Sequence, residues 1–281
     1  CKGLLSRGPL SVWGLVNAAS RIGLLGSPVN EFERSSMTRN AAQAAAPTGA
    51  PETETQDIDD FIYLMSHDVR ASVRALLELP QWIAEDLAEA GVEITGSVAQ
   101  SIEMMNRHTA RLDRMLMDLL TYSRIGRMQP VVRVDVRAAL DEVLAELHLP
   151  ETMRLSRDIA GAHVMMGEQD VLLLWSALIG NAVKHHHAKR GVISVTTQQE
   201  GAMIRFTVCD DGPGIPQRFH ARALGAMTTL RPRDEVEGTG MGLANVRKLA
   251  EHYGGQVTLS GVGAGSSGLR VDVLIPHGCP R

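Results

Sequence analysis

Four short stretches of this sequence set reactive side chains at spacings that chemistry can use. In LMSHDVRAS, Leu64 to Ser72, His67 and Asp68 stand side by side inside a helical pattern. A carboxylate beside an imidazole can orient one ring nitrogen and leave the other as a better nucleophile, which then needs an electrophile. In GNAVKHHH, Asn181 and Lys184 share one helical face, where an amide oxygen suits a metal and an ammonium suits phosphate. In DDGPGIP, Asp210 ends a strand, and Gly212 and Gly214 let the backbone approach a flat ligand closely. In GTGMGLA, Gly238 to Ala244, a glycine-rich loop runs straight into a helix, the arrangement whose free N–H groups bind phosphate. Each stretch alone is common, since a lone histidine on a charged helix face is ordinarily inert and an Asp-x-Gly at a strand end is ordinarily a turn.

The elements around them fall into two kinds. Ile58, Ile62, Met65, Val69, Ser72, Leu76, Leu79 and Ile83 follow a 4-3-4-3 spacing, and Val98, Ile102, Met105, Thr109, Leu112, Leu116 and Leu119 repeat it after the break EAGVEITGS. Two helices joined by a short turn are expected over 57–128, with His67 opposite the seam and open to solvent. Such a hairpin cannot enclose two apolar seams alone, so a homodimer through a four-helix bundle is expected. After a linker near Met128 to Pro130, the runs VVRVDV, GVISVTT, MIRFTVCD, GQVTLSG and GLRVDVLIP read as strands. Helical patterns at about 135–148, 168–187 and 241–253 alternate with them. The fold class is therefore α+β, with a mixed sheet covered by helices on one face over 131–277.

Composition removes several alternatives. A net charge of -4 with no basic cluster argues against nucleic acid or an anionic membrane as the main partner. Cys1, Cys209 and Cys279 have no CxxC spacing, which fits neither a disulfide framework nor a zinc site and suggests a reducing, cytoplasmic setting, with Cys209 as inert core. No apolar run reaches the length of a membrane span. Residues 1–56 read apart from the rest. NAAQAAAPTGAPETETQ, 40–56, is linker-like, and 3–29 fit a membrane-surface anchor, the remnant of a sensor module or untranslated upstream sequence. The segment is expected to be poorly ordered, and Met37 is a plausible start. The HHH run at 185–187 is not read as a metal site, because successive helix positions point about 100° apart and do not converge easily on one ion.

Taken in order, an SHD helical hairpin, an asparagine helix, DxGxG and GxGxGL opening another helix resemble the sensor histidine kinases of two-component signalling. The resemblance covers roughly 57–277, and SHDVRASVRAL with LRPRDEVEGTGMGLANVRKLAEHYGG is similar to the phytochrome-like subgroup. It implies a dimerisation and phosphoacceptor hairpin followed by a GHKL-type, Bergerat-type α/β sandwich that binds ATP with Mg2+. His67 then takes the place of the phosphoacceptor, with Asp68 beside it. Asn181 matches the magnesium-binding asparagine, and Lys184 and His185 lie near the phosphates. Asp210 matches the carboxylate that reads the adenine amino group, with Gly212 and Gly214 shaping that pocket. Gly238, Thr239, Gly240, Met241, Gly242 and Leu243 flank the phosphates, and 218–237 form a lid. A response regulator receiver domain is the implied acceptor.

Departures from the family pattern carry their own expectations. Ser72 stands where proline is usual, Ala177 where a second asparagine is common, His185 where an aromatic often follows the lysine, and Leu224 and Met227 where the lid usually has phenylalanines. These imply weakened nucleotide binding. Ala71 replaces a threonine or asparagine one turn after His67, which implies feeble phosphatase activity toward the regulator. Two other classes stay open: a phosphotransfer or scaffold protein with a failing ATP site, and another ATPase-superfamily member such as a serine-directed kinase.

Overall fold

The computed structural model describes residues 52–127, 129–160, 163–186, 190–230, 238–262 and 268–278. The expectations for 1–51, Met128, His187 and lid residues 231–237 lie outside the described residues, as does the orientation of the His67 side chain. Gln56–Arg281 form one compact unit.

Two long helices open it, α1 (Glu52–Glu89) and α2 (Gly96–Arg124). The turn between them closes as a glycine cap. Val92 N donates to Leu87 O at 2.9 Å and Gly91 N to Ala88 O at 3.0 Å, with Gly91 left-handed at φ 70°. The helices run antiparallel, since Arg127 Nη1 meets Asp60 Oδ1 at 2.5 Å and the Arg124 guanidinium lies 5.4 Å from the Tyr63 ring. On α1 the chain covers Ser66, Val73 and Pro80, seven residues apart. The apolar stripe read from the sequence lies one position away. Met65, Val69, Leu76 and Ile83, with Val98, Met105 and Leu112 of α2, stay between 37% and 48% exposed.

The second part begins with β1 (Val132–Asp135) and α3 (Val136–Glu146). There follow β2 (Met153–Ile159), β3 (His163–Met166), α4 (Glu168–His185), β4 (Gly191–Glu200) and β5 (Met203–Asp210). A single 3-10 turn (Gln217–Phe219) leads into α5 (His220–Ala223), and α6 (Gly242–His252), β6 (Gln256–Gly261) and β7 (Leu269–Pro276) complete it. The main sheet has the order β2-β4-β5-β7-β6, with β2 and β4 parallel and the other pairs antiparallel.

One face of this sheet carries the core. Ile193, Val195, Ile204, Phe206, Val273 and Ile275 meet Leu140, Trp175, Leu178 and Leu249 from α3, α4 and α6. Trp175 packs edge-on against Phe206 with centroids 5.3 Å apart, and its indole N–H donates to Val136 O at 3.3 Å, so the largest buried side chain has no orphaned donor. The opposite face is polar. There Thr207 donates to Asp272 at 2.6 Å, and Arg270 forks onto the same carboxylate at 2.7 and 2.9 Å.

Two expectations need correction. VVRVDV does not join the main sheet, because β1 pairs antiparallel with β3 in a separate two-stranded ladder. The sequence reading also names neither β2 nor β3. In β2 only Met153 and Ile159 are buried, and the exposed Arg154, Ser156 and Arg157 break up its apolar signal. Cys209 is likewise not core. Strand alternation places it with Arg205 and Thr207 on the polar face, half-buried, where burial pushes its thiol pKa up.

The start of α3 gives a stability prediction. Asp135 caps it, accepting from Arg137 N at 2.8 Å and Ala138 N at 3.1 Å, and the Ala138 N–H chiefly holds its carboxyl below the usual range. Asp135→Ala is expected to cost about 1 kcal/mol of unfolding free energy. A lowered carboxyl pKa stabilises above the unfolded value and is lost as pH falls through the folded one. Urea titrations should therefore show the two proteins converging in acid and diverging toward neutral pH.

Candidate functional site

The glycines and helix ends found in the sequence converge on one cavity of about 440 Å³. Its floor is the C-terminal half of α4, with Ala177, Asn181, Lys184 and His185 along one side. Its far end is the turn after β5, where Asp210, Gly214 and Ile215 meet Leu269 and Val271 of β7. Its near end is the loop entering α6, with Gly238, Thr239, Gly240, Gly242 and Leu243. Phe219, Ala223, Thr228 and Leu230 form the remaining wall.

At the far end, Asp210 is aimed by its own backbone surroundings. One carboxylate oxygen accepts from Gly212 N at 2.9 Å and Leu269 N at 3.4 Å, and the residue lines the cavity. Burial raises its pKa, and those two N–H groups oppose the rise. Gly214 has φ 68°, and a Cβ there would come within 2.7 Å of Gly268 O, so both conformation and space require glycine. Behind the turn, buried His186 meets Asp211 at 2.9 Å, and Asp211 also accepts from Val192 N at 2.8 Å. Those contacts, the Val192 N–H first, hold the Asp211 carboxyl below its usual range. Of the HHH run, His185 lines the cavity and His186 braces this turn.

At the near end, Asn181 and the first residue of α6 fit against each other. A Cβ on Gly242 would stand 2.9 Å from Asn181 Oδ1 and 3.0 Å from Nδ2, closer than side-chain carbons tolerate. Asn181 Nδ2 is buried without a hydrogen-bond partner among the described residues. An orphaned amide beside a helix N-terminus and a lysine is the signature of a site whose polar groups await a ligand rather than one another. The residues therefore fit a nucleotide phosphate chain with a hard cation, the amide oxygen being a suitable ligand for the cation. Gly242→Ala is expected to keep the fold, because only a side-chain amide must turn, but to weaken ATP about tenfold by misaiming Asn181, a change read by titrating a fluorescent nucleotide.

Two predicted binding residues act at one remove. Gly212 does not line the cavity, but its N–H holds Asp210. Met241 is buried, its sulfur accepting from Met227 N at 3.3 Å, which ties the 224–230 segment to the α6 loop. His67 lies on α1, and its side chain is outside the described residues; Asp68 is exposed. The structure adds Asp118 of α2 to the cavity wall, which no local motif announces.

Comparison with known proteins agrees with this geometry. A family model described as histidine kinase-, DNA gyrase B-, and HSP90-like ATPase matches residues 167–277. The phytochrome-like protein Cph1 of Synechocystis is 27% identical over 260 residues, covering 91% of this chain and 34% of its own. The methanogenesis regulatory histidine kinase FilI of Methanothrix harundinacea is 25% identical over 258 residues, covering 90% of this chain and 28% of its own. The chain thus spans about a third of the length of these relatives. Among solved structures, full-length ShkA in complex with AMPPNP superposes with a TM-score of 0.59 at 21% identity, over 79% of this chain and 46% of that one. Histidine kinase ThkA in complex with response regulator protein TrrA gives a TM-score of 0.54 at 15% identity, over 81% and 65%.

Proposed function

We propose that this chain, which resembles the sensor histidine kinases and carries a GHKL-type ATP-binding domain, is an enzyme that phosphorylates its own His67 from ATP and passes the group to an aspartate of a response regulator. The observation that carries this reading is the single cavity joining Asn181, Asp210 and the Gly238–Gly242 loop, downstream of a helix bearing His67.

Asp210 accepts from the adenine amino group, while the free N–H groups at the start of α6 and the Lys184 ammonium hold the phosphates. Asn181 would hold Mg2+ through its amide oxygen, and the ion would supply charge neutralisation to the phosphates. One ring nitrogen of His67 attacks the γ-phosphorus; a nitrogen–phosphorus bond forms, the bond to the β-phosphate oxygen breaks, and ADP leaves. Asp68 orients the ring and takes up the proton that the imidazole sheds. Most of the catalysis is positioning, as a loose phosphoryl transition state requires. The ShkA–AMPPNP and ThkA–TrrA complexes support nucleotide and regulator as the partners here.

The exposed stripe from Met65 to Ile83 and from Val98 to Leu112 supports a homodimer, since a second copy would cover it. The described residues contain no helix long and apolar enough to cross a membrane. The test is to incubate the protein with radiolabelled ATP and Mg2+ and challenge the label chemically. Label stable to alkali, lost in acid and passed to a receiver domain is expected. Acid-stable label would favour a serine kinase, and none at all a scaffold.

A further inference from the structure

The nucleotide cavity is not built by the ATP-binding domain alone. Asp118, from the last two turns of α2, lines it together with Lys184 and the Gly238–Gly242 loop, and its carboxylate accepts a hydrogen bond from the Thr239 hydroxyl. Asp118, Tyr122 and Ile125 follow helical spacing, so they share one face of α2 and its end. That face is held along its length. Lys248 of α6 donates to Tyr122 O at 2.9 Å and sits 4.2 Å from the Tyr122 ring centroid. Ile125 is 2% exposed within the core of the ATP-binding domain. Gly126 N donates to Asp170 Oδ2 at 3.1 Å, in a backbone position where any Cβ would overlap the His252 ring.

The docked arrangement thus fixes a carboxylate where the triphosphate belongs and occupies the hydroxyl of a phosphate-loop residue. Nothing in a triphosphate welcomes a carboxylate. The repulsion grows with phosphate charge and with the low dielectric of a partly enclosed cavity. We propose that Asp118 is a nucleotide-discriminating gate: docking of the ATP-binding domain on α2 opposes ATP more than ADP, and ATP binding in turn releases the domain from α2. The second half follows from the first, because coupling between two binding events is reciprocal. The gate rests on the ATP reading of the cavity and gives it a regulatory direction. Charging with ATP frees the domain to travel to His67, and ADP lets it redock.

The test compares the full-length chain with Asp118→Asn, which keeps size and hydrogen-bonding capacity but removes the charge. Titrations with ATP, ADP and adenosine are run with and without Mg2+. The variant is expected to bind ATP about tenfold more tightly and ADP by less than roughly threefold, with adenosine unchanged and the ATP gain shrinking at high salt. Asp118→Ala should move in the same direction. In the wild type, ATP should accelerate hydrogen exchange at the Gly126 amide, which donates to Asp170 in the docked arrangement. Unchanged or weaker ATP binding by both variants overturns the gate, and weakening confined to Mg2+ would make Asp118 a cation ligand instead. If neither wild type nor variant binds any nucleotide, the ATP reading falls and the gate with it.

Discussion

Replacing His67 by glutamine is expected to abolish acid-labile phosphorylation by ATP while leaving ATP affinity and the oligomeric state unchanged. Glutamine keeps length and polarity at a helix position that tolerates it, so α1 should remain intact. It lacks the nucleophilic ring nitrogen, and no orientation by Asp68 can supply one. The site that holds the nucleotide is built from α4, the β5–β7 edge, the 219–230 wall, the α6 loop and Asp118 of α2, with no residue of α1 in its lining. Loss of labelling with retained nucleotide binding therefore separates acceptor from donor. Undiminished acid-labile label in the variant would move the acceptor to another residue, and lost nucleotide binding would mean that α1 shapes the cavity after all.

Asp210→Asn should trade function for stability. The carboxylate offers a charged acceptor to the adenine amino group, and losing that interaction is expected to weaken ATP by about 10- to 100-fold, the equivalent of about 1.5–3 kcal/mol. Asparagine can still accept from Gly212 N and Leu269 N, so the turn keeps its shape. Burial raises the Asp210 carboxyl pKa in the folded protein, which therefore takes up a proton more readily than the unfolded chain. The stability linked to this group is fully present below the ordinary carboxylate pKa and is lost as pH rises through the elevated one. At neutral pH the wild type carries a charge whose burial asparagine avoids. The variant's Tm should then exceed that of the wild type by a few degrees near neutral pH, with the gap closing in acid. Paired calorimetry and nucleotide titration check both halves, and a variant that loses stability along with affinity would make Asp210 a structural residue.

What could be read from the sequence was what local backbone chemistry dictates. Gly214 and Gly240 adopt φ of 68° and 78°, so their places in DDGPGIP and GTGMGLA mark turns that few other residues could make. Asn181 and Lys184 were legible because a helix fixes which side chains share a face. Contacts between distant segments left no such trace. Thr239 and Asp118 lie 121 positions apart, and Lys248 and Tyr122 lie 126 apart. The helical stripe shows a second limit. Ser66, Val73 and Pro80 give no apolar signal strong enough to mark the covered face, whereas the more hydrophobic Met65, Val69 and Leu76 mark a face left open within one chain. Hydrophobic periodicity identifies a surface to be buried but not the partner that buries it. Short β3 and charge-rich β2 escaped for the related reason that pairing, not local composition, makes them strands.

Mapping the phosphoryl group under neutral conditions tests the central claim most directly. The protein would be charged with ATP and Mg2+, digested without acid, and its peptides sequenced by mass spectrometry that preserves nitrogen–phosphorus bonds. A phosphoryl group on His67, absent when Asn181 is changed to alanine, is the expected result. Modification of Ser66 or of any residue outside α1, or phosphorylation of His67 that persists without Asn181, would contradict the account.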